Sequence, residues 1–355
     1  VDKRWAQVAQ VLVQYSTGVK RGERVMIAMH EVESLPLVRA VYEEAVKAGA
    51  YVQVQFLAEY LKHSLIRYGS QEQIEWVPEI EAYGMEWADV YFGLRGAHNL
   101  YELADVRPAL LAAHQRALGE ISALRWQKTR WCLVRVPNES FAQQAETDLD
   151  TIMDLFFNSV LRDWESEATG WRRVAGLLDQ GGEVRLVAKG TDLRFSTRGR
   201  RWLVGDGHAN IPDGEIYTAP VTHTVNGHIS FEFPGVLGGR LVPDIDLEWE
   251  EGRLVHASAS QNEDFLHEVL ATDAGANLIG EFGIGVNYGV DRFCKDILVD
   301  EKIGGTVHIA LGRAYPACGG DNRSALHWDI VKDTREEGVI YLDGQKVFEN
   351  GYFLI

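Results

Sequence analysis

Apolar positions in the first half of the chain follow two rhythms in turn. Arg24–Met29 is a short continuous apolar run, as expected of a strand buried on both faces. Leu35–Ala48 then carries apolar residues at helical spacing (Leu37, Val38, Val41, Ala45, Val46) and stops at Gly49. Tyr51–Phe56 alternates like a strand, and Ala88–Leu94 reads as another buried strand. Pro108–His114 reads as a helix and Trp131–Val136 as the next strand. Strand and helix alternating in this order predict a parallel sheet with crossover helices.

From about Ser140 to Leu178 the pattern is helical, with Leu149, Ile152, Met153, Phe156, Phe157, Val160 and Leu161 on one face. Asp179-Gln-Gly-Gly182 breaks it. Beyond the break the chain turns to short strands: Glu183–Val187, Leu193–Phe195, Ile229–Phe233, Leu247–Trp249 and Leu254–Ala257. One helix, about Glu263 to Ile279, interrupts them. The expected organisation is a Rossmann-like α/β domain with a parallel sheet over 1–180, then an α+β domain with a mixed or antiparallel sheet over 181–355.

Composition changes this picture little. The chain of 355 residues is 46% hydrophobic and 25% charged, which suits a globular protein with a substantial core. The net charge of −17 argues against nucleic-acid or anionic-membrane partners. No apolar run approaches the ~18 residues of a membrane span, and the N-terminus shows no apolar signal region. Three cysteines without a CxxC spacing argue against a disulfide framework or cysteine zinc finger. A reducing cytoplasm is the expected location. Tryptophans such as Trp76, Trp126, Trp164 and Trp171 are expected mainly in the core.

Several familiar motifs are missing. Gly283-Ile-Gly-Val-Asn-Tyr-Gly289 resembles a dinucleotide loop but is one residue too long, so its glycines are read as tight backbone turns. His267-Glu268 begins like HExxH, but Ala271 stands where the second histidine belongs. There is no GxSxG elbow, phosphate loop or EF-hand.

Residues 280–329 are richer in chemistry. His327 and Asp329 stand at i and i+2, so on a strand both side chains point to one face. His308 is the polar intruder in the apolar run Gly304–Gly312, and is either a buried hydrogen-bonded residue or a ligand. Tyr315 and Glu281 lie in the same stretch, and Glu215 follows the Pro-Asp-Gly turn at Pro212–Gly214. Two histidines with several carboxylates suit Zn²⁺, Co²⁺, Mn²⁺ or Fe²⁺, although the spacing alone does not define a site.

Four phrases, in order along the chain, resemble the M29 family of thermophilic-type aminopeptidases. They are Gly-Glu-Ile-Tyr-Thr-Ala-Pro at 214–220, Gly-Glu-Phe-Gly-Ile-Gly-Val-Asn at 280–287, Asp-Glu-Lys-Ile-Gly-Gly-Thr-Val-His-Ile-Ala-Leu-Gly at 300–312 and Ser-Ala-Leu-His-Trp-Asp at 324–329. The resemblance implies a metal-dependent aminopeptidase acting on peptides with a free N-terminus, and a homodimer. It implies two divalent ions (Zn²⁺ or Co²⁺, with Mn²⁺ or Mg²⁺ as alternatives) held by Glu215, Glu281, His308, Tyr315, His327 and Asp329. Glu215 or Glu281 would serve as general base, and Glu301, Lys302 and Arg313 would orient ligands or form surface ion pairs. Longer members of the family have more residues between the tyrosine and the His-x-Asp pair; here only Pro316–Leu326 intervene. The ring-opening dihydroxypyridine dioxygenases resemble distant relatives, for which His308, His327 and Asp329 would match a mononuclear iron triad. Retention of Glu215, Glu281 and Tyr315 favours the peptidase.

Overall fold

The computed structural model describes residues 2–124 and 128–355; Trp126 lies outside the described residues. The chain forms two compact units. The first comprises Val1–Arg162 with Gly207–Pro212, the second Asp163–Asp206 with Asp213–Ile355.

In the first unit the apolar runs pair as a five-stranded parallel sheet. Its order is Tyr51–Leu57, Arg24–His30, Val90–Arg95, Arg130–Arg135 and Asn210–Ile211. The inner strands are buried on both faces, which is why Val25, Ile27, Ala28, Val90 and Phe92 run without polar alternation. Helices Leu35–Lys47, Glu59–Tyr68, Glu79–Trp87 and Pro108–Leu124 lie between the strands in sequence. The parallel α/β expectation holds.

The predicted helix over 140–178 is three helices, Glu139–Gln144, Leu149–Val160 and Trp164–Leu178. Each begins where a side chain accepts from a backbone N–H three residues on: Asn138 from Phe141 (2.9 Å), Asp148 from Thr151 (2.8 Å) and Asp163 from Ser166 (3.2 Å). The two units divide at Arg162/Asp163, upstream of the Asp179–Gly182 break. Helix Trp164–Leu178 belongs to the second unit, where it buries Trp164, Ala168, Trp171, Ala175 and Leu178.

The second unit contains two larger antiparallel sheets. One has eight strands, with Thr191–Ser196 and Glu183–Ala188 near its middle. The other has five: β1 (Leu203–Gly205), β2 (Glu215–Thr218), β3 (Ile279–Gly285), β4 (Val307–Gly312) and β5 (His327–Lys332), in the order β5-β4-β3-β2-β1. Phe282 of β3 packs on Phe195 of the larger sheet, 5.0 Å between ring centroids, and on Trp202 at 6.1 Å.

Two expectations are corrected here. The helix beginning at Glu263 ends at Leu270, not Ile279. The Asp273 carboxylate accepts from Gly275 N, Ala325 N and Ser324 Oγ and holds a turn there instead. Gly283 and Gly285 are not turn glycines either. Both lie within β3, a strand buried along its whole length.

Among the described residues no helix is long and apolar enough to cross a membrane. Cys132, Cys294 and Cys318 are buried thiols. Trp164 and Trp171 are core residues, whereas Trp76 is exposed.

His30, at the end of its strand, is held down to about 4 by burial, then by Arg95 and Lys62. The unfolded chain therefore binds more protons than the folded one between about pH 6.5 and pH 4, and stability should fall as pH drops through that window. Urea midpoints of wild type and His30→Gln, compared from pH 7.5 to 4.5, should diverge on acidification. The variant should lose up to roughly 3 kcal/mol less.

Candidate metal centre

The register of the five-stranded sheet gathers the polar side chains on one face. Gly283 of β3 stands opposite His308 of β4, and Gly285 opposite Glu215 of β2. Ala310 of β4 stands opposite Asp329 of β5, and Gly312 opposite His327. With a period of two, Glu215, Glu281, His308, His327 and Asp329 all point the same way. The intervening positions Phe282, Ile309, Trp328 and Ile330 are buried in apolar core. Gly283 has a specific duty: a Cβ there would stand 2.1 Å from Cε1 and Nε2 of His308. The missing side chain is the space the imidazole occupies.

The ligand-type atoms fall into two groups, each within 4.8 Å internally: Glu215, Glu301 and His308 in one, Glu281, His327 and Asp329 in the other. Glu281 lies between them, with Oε1 3.7 Å from His308 Nε2 and Oε2 3.5 Å from His327 Nε2. Asp329 Oδ2 is 3.3 Å from His327 Nε2, and Glu215 Oε2 is 3.2 Å from His308 Nε2. His327 Nδ1 donates to the Arg313 carbonyl at 2.7 Å. That bond fixes the ring and turns Nε2 toward the carboxylates, the usual support of a metal-binding imidazole. Arg313 thus contributes its backbone. Tyr315 sits at the rim, 40% exposed, with its ring 5.1 Å from that of His327.

Lys302 and Glu301 are no surface ion pair. Lys302 is fully buried, and its Nζ donates to Glu215 Oε1 at 2.5 Å and Glu301 Oε1 at 2.7 Å. Asp213 Oδ1 is 3.4 Å away. Sequence reasoning did not single out Asp213; its signal was its place in the Pro-Asp-Gly turn, two residues before Glu215.

The electrostatics are those of a crowded acidic cage. Burial pushes the Glu215 carboxyl up, but Lys302 and His308 outweigh it and bring it down to about 2. Burial, with Glu215 and Asp329 nearby, raises Glu301 to about 8 despite Lys302. Burial works against the His327 imidazolium, yet Asp329 and Glu281 raise it to about 9. Burial and the surrounding carboxylates raise the Tyr315 phenol well above its ordinary value.

Four buried polar atoms here make no hydrogen bond: Asp329 Oδ1, His308 Nδ1, and the pair Glu215 Oε2 and His308 Nε2, which meet only as an ion pair at 3.2 Å. Such orphaned atoms are costly in an interior, and several at one place fit a group that accepts their lone pairs. Oxygen and imidazole donors within this spacing suit a divalent metal.

Over residues 1–353 the chain matches the family described as "Thermophilic metalloprotease (M29)". It belongs to the M29 family. Among curated relatives, "Aminopeptidase 2" of Geobacillus stearothermophilus is 25% identical, over 89% of this chain and 84% of that protein. "Aminopeptidase T" of Thermus thermophilus is 23% identical, over 96% and 95%. The solved wild-type AmpT of Thermus thermophilus shares the fold with a TM-score of 0.88 at 22% identity, covering 99% of each chain. A 2,5-dihydroxypyridine dioxygenase of Pseudomonas putida KT2440 superposes with a TM-score of 0.63 at 15% identity, over 99% of this chain and 96% of that one. The chain is therefore a peptidase of the metalloprotease type, with the α/β and antiparallel parts that the pattern of strands and helices predicted.

Gly283→Ala should drive His308 from its place. Metal content and peptidase activity should fall together while the far-ultraviolet circular dichroism stays close to wild type. Wild-type metal content in the variant would show that His308 is not held by this approach.

Proposed function

We propose that the protein is an aminopeptidase that uses two divalent metal ions on the polar face of the antiparallel sheet. The observation that carries this reading is the split of the donors into two groups with Glu281 between them. Glu215, Glu301 and His308 would hold one ion, Glu281, His327 and Asp329 the other, with Tyr315 completing the set at the rim. Zn²⁺ or Co²⁺ suits these donors best, with Mn²⁺ or Mg²⁺ as alternatives.

Charge supports two ions rather than one. Glu215, Glu281, Glu301 and Asp329 carry four negative charges when ionised, and Lys302 offsets one of them. With Glu301 also ionised, as a metal ligand must be, one divalent ion leaves the buried cage negative and two do not. Bound there, two ions supply Lewis-acid activation of water and of the scissile carbonyl. The chain's own residues supply orientation and proton transfer. Glu281 is the better supported general base, because Glu215 already gives one oxygen to Lys302 at 2.5 Å while the oxygens of Glu281 approach the imidazoles only at 3.5 and 3.7 Å. His327 is held by the Arg313 carbonyl and cannot swing away.

The substrates would be peptides with a free N-terminus, and the partner a second copy of the chain. The edge strand Tyr51–Leu57 supports the latter. It has no charged residue and exposes Tyr51, Val54 and Phe56. Light scattering should give the mass of two chains, and Val54→Lys the mass of one.

The ring-cleaving reading needs one ferrous ion on His308, His327 and Asp329 together. Here His308 groups with Glu215 and Glu301 instead, which favours the peptidase. Elemental mass spectrometry after Zn²⁺ or Co²⁺ reconstitution should find close to two ions per chain. Aminoacyl p-nitroanilides should be hydrolysed and their N-acetylated forms left intact. Glu281→Ala and His308→Ala should each lower activity by at least about a hundredfold and lower metal content. A single iron with oxygen-dependent cleavage of a dihydroxypyridine would overturn the proposal.

A further inference from the structure

Lys302 is buried among the acids of the metal centre but is not a ligand type. An ammonium has three N–H donors. Carboxylate oxygens of Glu215, Glu301 and Asp213 stand at 2.5, 2.7 and 3.4 Å from its nitrogen. Its main chain is fixed as well. The Lys302 N–H donates to the Val299 carbonyl, and its own carbonyl accepts from Asn287 N–H, both at 3.1 Å. The Asn287 amide in turn donates to the Asp213 carbonyl at 2.7 Å. The lysine and the turn before Glu215 are therefore tied together from both sides, leaving the ammonium little room to move away.

This placement divides the oxygens of each ligand carboxylate. Glu215 gives Oε1 to Lys302 and keeps Oε2 without a hydrogen bond, 3.2 Å from His308 Nε2. Glu301 likewise gives Oε1 to Lys302. We propose that Lys302 is a positioning residue and resident counter-cation that competes with the metal ions for Glu215 and Glu301, limiting each carboxylate to one oxygen and setting how tightly the ions are gripped. The inference rests on the two-ion reading above.

Two effects act in the same direction. The ammonium repels a divalent ion held by the same carboxylates, with an interaction that is strong in a poorly screened interior. It also occupies lone pairs that would otherwise let Glu215 and Glu301 chelate. Removing it makes the cage more negative and frees those oxygens, so the ions bind more tightly. Chelating oxygens then fill the positions that water and substrate need at an open catalytic site. Metal affinity and turnover should move in opposite directions. A lysine that only braces the fold predicts the reverse for affinity, since its loss would loosen the donors and weaken binding.

The test titrates chelator-stripped protein with Zn²⁺ against a chromophoric competitor. Lys302→Met should bind Zn²⁺ at least roughly tenfold more tightly. Its kcat on an aminoacyl p-nitroanilide should be at least roughly tenfold lower, with KM changed less than about threefold. Lys302→Arg, which keeps the charge, should stay within about threefold of wild type in Zn²⁺ affinity. Equal or weaker Zn²⁺ binding by folded Lys302→Met overturns the inference. Should that variant fold only with metal, thermal midpoints with chelator and with Zn²⁺ decide the matter. A gap wider than in wild type supports the inference, and an equal or narrower gap overturns it. Failure of the two-ion reading shows elsewhere: wild type would bind no Zn²⁺, or His308→Ala would bind it as wild type does.

Discussion

The second unit is organised around the burial of like charge. Glu215, Glu281, Glu301 and Asp329 are brought into one poorly solvated space with a single fully buried lysine beside them. Carboxylates so placed repel one another and lose hydration, and they persist only where fixed cations or bound ions answer them. The sheet makes this tolerable by a division of faces. Phe282, Ile309, Trp328 and Ile330 bury apolar surface on one side, and that packing fixes the strands that carry the acids on the other.

The same constraint explains the small residues in the sheet. An imidazole at His308 needs depth across the neighbouring strand, and only glycine at 283 leaves it. Each polar position is thus matched by a small partner: Gly283 opposite His308, Gly285 opposite Glu215, Ala310 opposite Asp329 and Gly312 opposite His327. The glycines serve the centre by their absence of side chain as much as by backbone freedom.

Much of this was legible in the sequence. The parallel sheet showed in runs such as Val25–Ala28, because strands buried on both faces leave no polar alternation. The His-x-Asp pair pointed to one face, because strand side chains have a period of two. Sequence could not show where helices stop when the stop is a distant hydrogen bond, as with Asp273 and Ala325, 52 residues apart. Nor could it read Gly283 correctly, since the atom it avoids belongs to another strand. For Lys302 the sequence left two readings open, orienting ligands or a surface ion pair, because burial is a property of the assembled sheet and not of the dipeptide.

The path of the chain between the two units has a consequence for modularity. Asn210–Ile211 completes the parallel sheet of the first unit, while residues on both sides of Gly207–Pro212 belong to the second. Neither unit is one uninterrupted segment. A single cut cannot release either intact, and exchanging one unit with a relative by one crossover would strand part of the other.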